Sequence, residues 1–178
     1  FDSHAVSTIC LLTAAREIDC KRLILTASLT EPQGNASKIV PSSPYAAAKW
    51  ASCAYGRMFH ALYQTPVTIV RPFMTYGPMQ NGQKLIPYVT LSLLRGETPK
   101  VASGRWQADW IYIDDVIEGF LAAACLPGLE GSSIDLGSGT MVPVREVVDR
   151  VVKLTGSSTK PSFGALPDRP AEEKRRDL

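Results

Sequence analysis

Two short apolar runs decide what this chain can fold into. Residues 21–27 carry Leu23-Ile24-Leu25 at their centre, and residues 66–70 continue as Val67-Thr68-Ile69-Val70. Both runs are short and continuous rather than alternating, which is the pattern of strands covered on both faces in a parallel sheet. A helical stretch precedes each, residues 4–17 before the first and a helix from Pro44 to about Tyr63 before the second. Ser42 or Ser43 is placed to cap that second helix, with Pro44 in its first turn. Leu85–Leu94 reads as a further helix stopped by Gly96. Residues 109–113 follow a turn-rich stretch, Asp114-Asp115 read as the cap of a helix reaching Cys125, residues 133–136 as a strand and 144–154 as a last helix. Helix and strand alternate along the chain, so the expected class is α/β. Residues 28–42 and 96–108 are polar and rich in turn residues, and Arg71-Pro72 should break the strand before it. The composition shifts near Met79. Residues 1–79 are regular, while 80–178 fall into shorter pieces, as in a small substrate-binding lobe.

The composition closes several routes. A net charge of +2 is too small to argue for nucleic acid or an acidic membrane surface. No apolar run approaches the roughly 18 residues that would span a bilayer. Cys10, Cys20, Cys53 and Cys125 form no C-x-x-C, and His4 and His60 lie far apart, so zinc spacing is absent and no metal is expected. Buried, reduced thiols are the better reading of the four, and they point to the cytoplasm. The apolar stretch 9–15 has no basic region ahead of it and does not read as a signal peptide. It reads as a helix entered mid-protein, and the chain, which starts at Phe1, as a piece of something longer.

The chemistry is concentrated in Ser43-Pro44-Tyr45-Ala46-Ala47-Ala48-Lys49. A spacing of four puts Tyr45 and Lys49 on one helical face. A free phenol titrates near ~10, too high for easy proton exchange at neutral pH, and a fixed ammonium beside it favours the phenolate. That match is what general acid–base catalysis requires. A lysine stem lying along a packing tyrosine is the competing explanation.

The blocks around this pair resemble, in order, the extended short-chain dehydrogenase/reductases of the NAD-dependent epimerase/dehydratase type. Leu25-Thr26-Ala27-Ser28 resembles the strand end that carries the family's catalytic hydroxyl, and residues 43–49 its tyrosine–lysine helix. Arg71-Pro72-Phe73 with Tyr76-Gly77-Pro78 resembles the loop beside the nicotinamide. Residues 109–116, Asp-Trp-Ile-Tyr-Ile-Asp-Asp-Val, and residues 134–139, Ile-Asp-Leu-Gly-Ser-Gly, resemble two late blocks. The resemblance implies a Rossmann-like, doubly wound parallel sheet with a small C-terminal substrate lobe, so that residues 1–79 belong to the dinucleotide-binding domain and 80–178 mainly to the lobe. It implies NAD or NADP as cofactor, bound in part by Thr26, Tyr45, Lys49, Pro72 and Phe73. It implies Tyr45 as general acid or base, Lys49 as its electrostatic partner and Ser28 as the group that holds the reacting oxygen.

The family's glycine-rich phosphate turn is not among these residues. Gly137-Ser138-Gly139 comes too late and lacks a third glycine, so it reads as a loop. The first strands and the ribose-reading residue are expected ahead of Phe1, and the fragment alone is expected to bind cofactor poorly.

The resemblance further implies a nucleotide-sugar substrate. Family members that dehydrate sugars carry an acidic residue after the catalytic hydroxyl; here Leu29-Thr30 follows Ser28, which disfavours dehydration and favours a 4-epimerase or 4-keto-sugar reductase. Met74 and Ala108 replace the Asn and Arg that usually meet the sugar-phosphate, so a small carbonyl or alcohol substrate stays open, as does a non-catalytic cofactor-binding relative. Candidate substrate contacts are Thr30, Lys84, Leu85, Arg105 and Arg169; Trp106 or Trp110 could stack on a base, with Trp110 read as core. A homodimer through residues 4–17 and the Tyr45 helix is the family habit.

Overall fold

The computed structural model describes residues 2–29 and 40–168. Within it the chain divides into two compact units, residues 1–73 with 114–137 and residues 74–113 with 138–178.

The first unit opens with a π-helical turn, Asp2–Val6, that leads into α1, Ser7–Glu17. It continues with β1, Leu23–Thr26, α2, Pro44–Tyr63, and β2, Val67–Pro72. The strand does not break at Arg71-Pro72 as expected. A proline is tolerated at a strand end, where its missing N–H costs little, and both residues keep their register with the neighbouring strand, Arg71 opposite Asp135 and Pro72 opposite Leu136. That neighbour is β6, Ser133–Leu136. The sheet order is β1-β2-β6 and both pairings are parallel. Its core joins Leu12 of α1, Cys53 and Phe59 of α2, Leu25, Val67 and Ile69. Gly56 lets α2 approach the sheet, since a Cβ there would stand 2.5 Å from the Leu25 Cδ1. A half-buried Arg22 donates to the carbonyls of Ala123 and Leu126 and pairs with Glu130, so the positive group sits where a helix end leaves carbonyls unmet. Those carbonyls end α4, Ile113–Cys125.

The second unit is built from shorter pieces. These are β3, Met74–Tyr76, α3, Leu85–Leu94, β4, Lys100–Val101, and β5, Gln107–Tyr112. After the return through the first unit come β7, Met141–Pro143, α5, Val144–Thr155, and β8, Ser162–Phe163. β5 lies between β3, parallel to it, and β7, antiparallel to it, while β4 pairs with β8. Val89 and Leu93 of α3 meet Val148 of α5 and Val101 in a separate core, with Tyr88, Val144 and Phe163 packed around it.

The cysteines are free, but the expectation of four buried thiols is wrong: Cys53 is buried, Cys20 is half-buried, and Cys10 and Cys125 are exposed. Cys10 and Cys125 lie on helix surfaces, where an apolar residue type does not by itself dictate burial. Among the described residues no helix is long and apolar enough to cross a membrane, and no group of side chains could hold a metal ion.

Candidate active site

The first unit gathers its reactive groups where parallel strands end. β1 and β2 finish at Thr26 and Pro72, and β6 finishes opposite Pro72 at Leu136. Carboxyl ends of parallel strands are where α/β sheets place ligands. Phe73 follows directly and its N–H donates to the Leu136 carbonyl at 2.8 Å, which holds the chain leaving β2 against β6.

The start of α2 is fixed from three directions. Ser43 caps it, its hydroxyl accepting from the Ala46 N–H at 3.1 Å, and Pro44 fills the first position, where no hydrogen bond is lost. Lys49 reaches out of the helix and donates from Nζ to the Thr26 carbonyl at 2.9 Å, so the ammonium is held at the end of β1. Tyr45, one turn before Lys49, is 46% exposed, leaving much of the phenol open, while one side meets the His4 imidazole. Ser28 lies half-buried two residues beyond β1. Tyr45, Lys49 and Thr26 are thus brought together, with Ser28, Pro72 and Phe73 on segments that leave the same strand ends. Thr30 and Arg169 lie outside the described residues.

The second unit holds a cavity of about 580 Å³. Lys84 and Leu85, at the start of α3, line it, as do Met74, Trp106, Trp110 and Asp168. Trp110 is therefore not simply core: it is half-buried, with its indole N–H bonded to the Val142 carbonyl at 3.2 Å, and presents surface to the cavity. Arg105 does not line the cavity. Its guanidinium is 3.6 Å from the Asp168 carboxylate and two-thirds exposed. Ala108 is 3% exposed, so the position where a family arginine would stand is buried among other residues.

Two acidic residues of this unit escaped the sequence reading. Asp168 accepts the Ser103 N–H at 2.9 Å; hydrogen bonds from the Ser103 side chain and backbone, with Arg105 adding its charge, hold the carboxyl below the usual aspartate value. Nothing local in the sequence marks this pairing across 65 positions. Asp109 is buried and accepts from the Ser138 N–H and hydroxyl, both at 2.7 Å, and from the Gly139 N–H at 2.8 Å. Gly139, at φ +79°, adopts a conformation that favours glycine. The Gly137-Ser138-Gly139 turn is a loop, as expected, because the amides that would cradle a phosphate are already bonded to a carboxylate of the protein. The only forewarning was that Asp109 and Gly139 fall in the two late blocks that resemble the family's.

The first unit thus carries a tyrosine and an anchored lysine at the carboxyl ends of a parallel α/β sheet. The chain belongs to the NAD dependent epimerase/dehydratase family, whose sequence profile matches residues 1–136. Over 172 residues it is 28% identical to a UDP-glucose 4-epimerase of Mycolicibacterium smegmatis, covering 90% of this chain and 55% of that protein. Over 143 residues it is 29% identical to a dTDP-glucose 4,6-dehydratase of Streptomyces niveus, covering 80% of this chain and 42% of that one. The fold is that of the extended short-chain dehydrogenase/reductases. The UDP-glucuronic acid 4-epimerase of Bacillus cereus, solved with UDP-glucuronic acid and NAD, superposes with a TM-score of 0.83 at 25% identity, over 95% of this chain and 56% of that one. The chain spans about half the length of the curated relatives it matches.

The family's cofactor is a nicotinamide dinucleotide, and the residues present fit one end of it. The Lys49 ammonium, anchored at a strand end beside an accessible phenol, suits the nicotinamide ribose side. No glycine-rich phosphate turn occurs in the 178 residues.

Proposed function

We propose that the whole protein is an NAD(P)-dependent enzyme acting on a nucleotide-linked sugar, as a 4-epimerase or 4-keto-sugar reductase, with Tyr45 as its proton carrier. The observation that carries this reading is the 2.9 Å bond from Lys49 Nζ to the Thr26 carbonyl. It sets a positive charge at the end of β1, on the helix face that also bears the phenol. The bound dinucleotide supplies hydride chemistry. This chain's own side chains do the rest. Tyr45 exchanges the proton on the sugar oxygen, Lys49 supplies positive charge beside that phenol and a donor toward the ribose, and Ser28 orients the reacting oxygen. Thr26, Pro72 and Phe73 border the cofactor. The first unit is its platform, and the cavity of the second, with Lys84 and Leu85, receives the nucleotide part of the substrate. Arg105 and Arg169 remain candidate phosphate contacts, Arg105 only after leaving Asp168. Thr30 remains a candidate second hydroxyl.

Dehydratases stand among the relatives. Here Ser28 is followed by the aliphatic Leu29, which has no proton to give a leaving hydroxyl. A small carbonyl substrate is the second reading, favoured by the apolar Met74 in the cavity and by the burial of Ala108. A homodimer is supported by the exposure of Leu11 on α1 and of Tyr55 and Leu62 on α2.

In the full-length protein, Tyr45→Phe is expected to lower turnover by roughly two to four decades with cofactor affinity nearly intact. Unchanged turnover removes Tyr45 from the chemistry. Assays of UDP-, dTDP-, GDP- and CDP-sugars with NADH and NADPH separate the substrate readings. Gel filtration tests the dimer.

A further inference from the structure

The candidate proton carrier has a neighbour that the reading above does not use. The His4 and Tyr45 rings meet edge to face, with centroids 5.2 Å apart and planes at 83°. This is a favoured geometry for two aromatic rings. His4 is not a passing surface residue. It lies in the π-helical turn ahead of α1, a distortion frequent at functional sites. Its carbonyl accepts from the Thr8 hydroxyl and lies 3.0 Å from the Ser52 hydroxyl, whose one proton it shares with the Ala48 carbonyl at 2.9 Å. Ser52 stands on α2 seven residues after Tyr45 and three after Lys49, so the three share one face of the helix. The next residue, Ala5, is fully buried and pins the turn to the body of the unit.

These contacts address a problem that α2 leaves open. The Ser43 cap and Pro44 fix the backbone of Tyr45, but nothing in a helix's first turn fixes the ring of a phenol that is 46% exposed. An imidazole whose backbone meets the helix bearing the phenol packs against one side of the ring and leaves the other side open. We propose that His4 is a positioning residue for Tyr45: the π-helical turn exists in this chain to hold an aromatic edge against the phenol, so that its oxygen is presented to substrate in one orientation. This rests on the role given to Tyr45 above.

The test uses the full-length protein with NAD and UDP-glucose, His4→Ala and His4→Phe, and Tyr45→Phe as reference. His4→Ala should lower kcat up to about tenfold, the upper range of one aromatic pair, with KM changed less than twofold. His4→Phe, which keeps a ring but no ionisable nitrogen, should recover most of the loss. A second readout needs no turnover: in the proton NMR spectrum, the His4 imidazole resonance should move when Tyr45 is changed to Leu, while that of His60 stays in place. A kcat unaffected by His4→Ala, a His4→Phe variant as impaired as His4→Ala, or a His4 resonance indifferent to Tyr45→Leu overturns the proposal. If Tyr45→Phe is itself without effect on turnover, the reading of Tyr45 falls with it. If Tyr45→Phe is inactive and His4→Ala is normal, only the positioning role is lost.

Discussion

The unit built on β1-β2-β6 and the unit built around α3 and α5 handle polar groups in opposite ways. In the first, several side-chain donors reach backbone carbonyls, Lys49 that of Thr26, Ser52 those of His4 and Ala48, and Arg22 those of Ala123 and Leu126, while Arg22 and Arg71 also pair with Glu130 and Asp135. In the second, side-chain carboxylates hold backbone amides, Asp109 those of Ser138 and Gly139 and Asp168 that of Ser103. Three parallel strands with a continuous core supply fixed carbonyls, so cations can be aimed from them. The second unit has one six-residue strand, β5, and otherwise strands of two or three residues, and there the carboxylates of the buried Asp109 and the half-buried Asp168 tie loops together. The first arrangement suits chemistry at one point, the second a cavity wall.

The largest expected effect tests the first half of that contrast. Tyr45→Phe should remove roughly two to four decades of turnover and leave the urea-unfolding midpoint nearly unchanged, since phenylalanine keeps the ring that meets His4. Next come matched core truncations. Leu25→Ala in β1 and Leu93→Ala in α3 should each cost about 2–5 kcal/mol in urea unfolding. They should separate in kinetics: Leu25→Ala disturbs the strand that carries the Thr26 carbonyl and should lower kcat, whereas Leu93→Ala should act on KM. Equal kinetic effects would erase the distinction between the units. Asp109→Asn should cost about 1–3 kcal/mol, because it keeps the volume but replaces an acceptor of three hydrogen bonds. Its signature should be altered Trp110 fluorescence, as β5 and β7 loosen.

The smallest effect is one of pH. Asp168 has a carboxyl held below its ordinary value of 3.8, so its contribution is present above that value and is lost as pH falls through the lower folded value. Thermal denaturation of the intact protein and of Asp168→Asn should therefore differ slightly at neutral pH and converge in strong acid. A difference that grows on acidification would show that Asp168 does not act as a carboxylate.

How much of this was legible depended on whether the signal was periodic or paired across space. The bounds of α3 and β6, and the extent of α2, could be read because caps, prolines and apolar runs act locally. Tyr45 and Lys49 could be read because a spacing of four has one meaning on a helix. β3, β4, β7 and β8, of two or three residues each, carry no period to detect. The run through Arg71-Pro72 was missed because a breaker looks the same inside a strand and at its edge. The Asp109 clamp and the His4–Tyr45 contact were invisible for another reason: each joins residues roughly 30 to 40 positions apart, and only the completed fold makes them neighbours.

The tether on Lys49 has a consequence for what the site can hold. A carboxylate partner would restrain the amine but neutralise it, leaving the strand end indifferent to an anion. A peptide oxygen restrains it through a dipole alone, so the full unit of charge still faces outward. Exchange for arginine would keep that charge but spread it over a wider, planar group whose reach and donor directions differ. The strand end therefore selects for a compact, undiluted cation, and a conservative-looking swap there should be among the least tolerated in the protein.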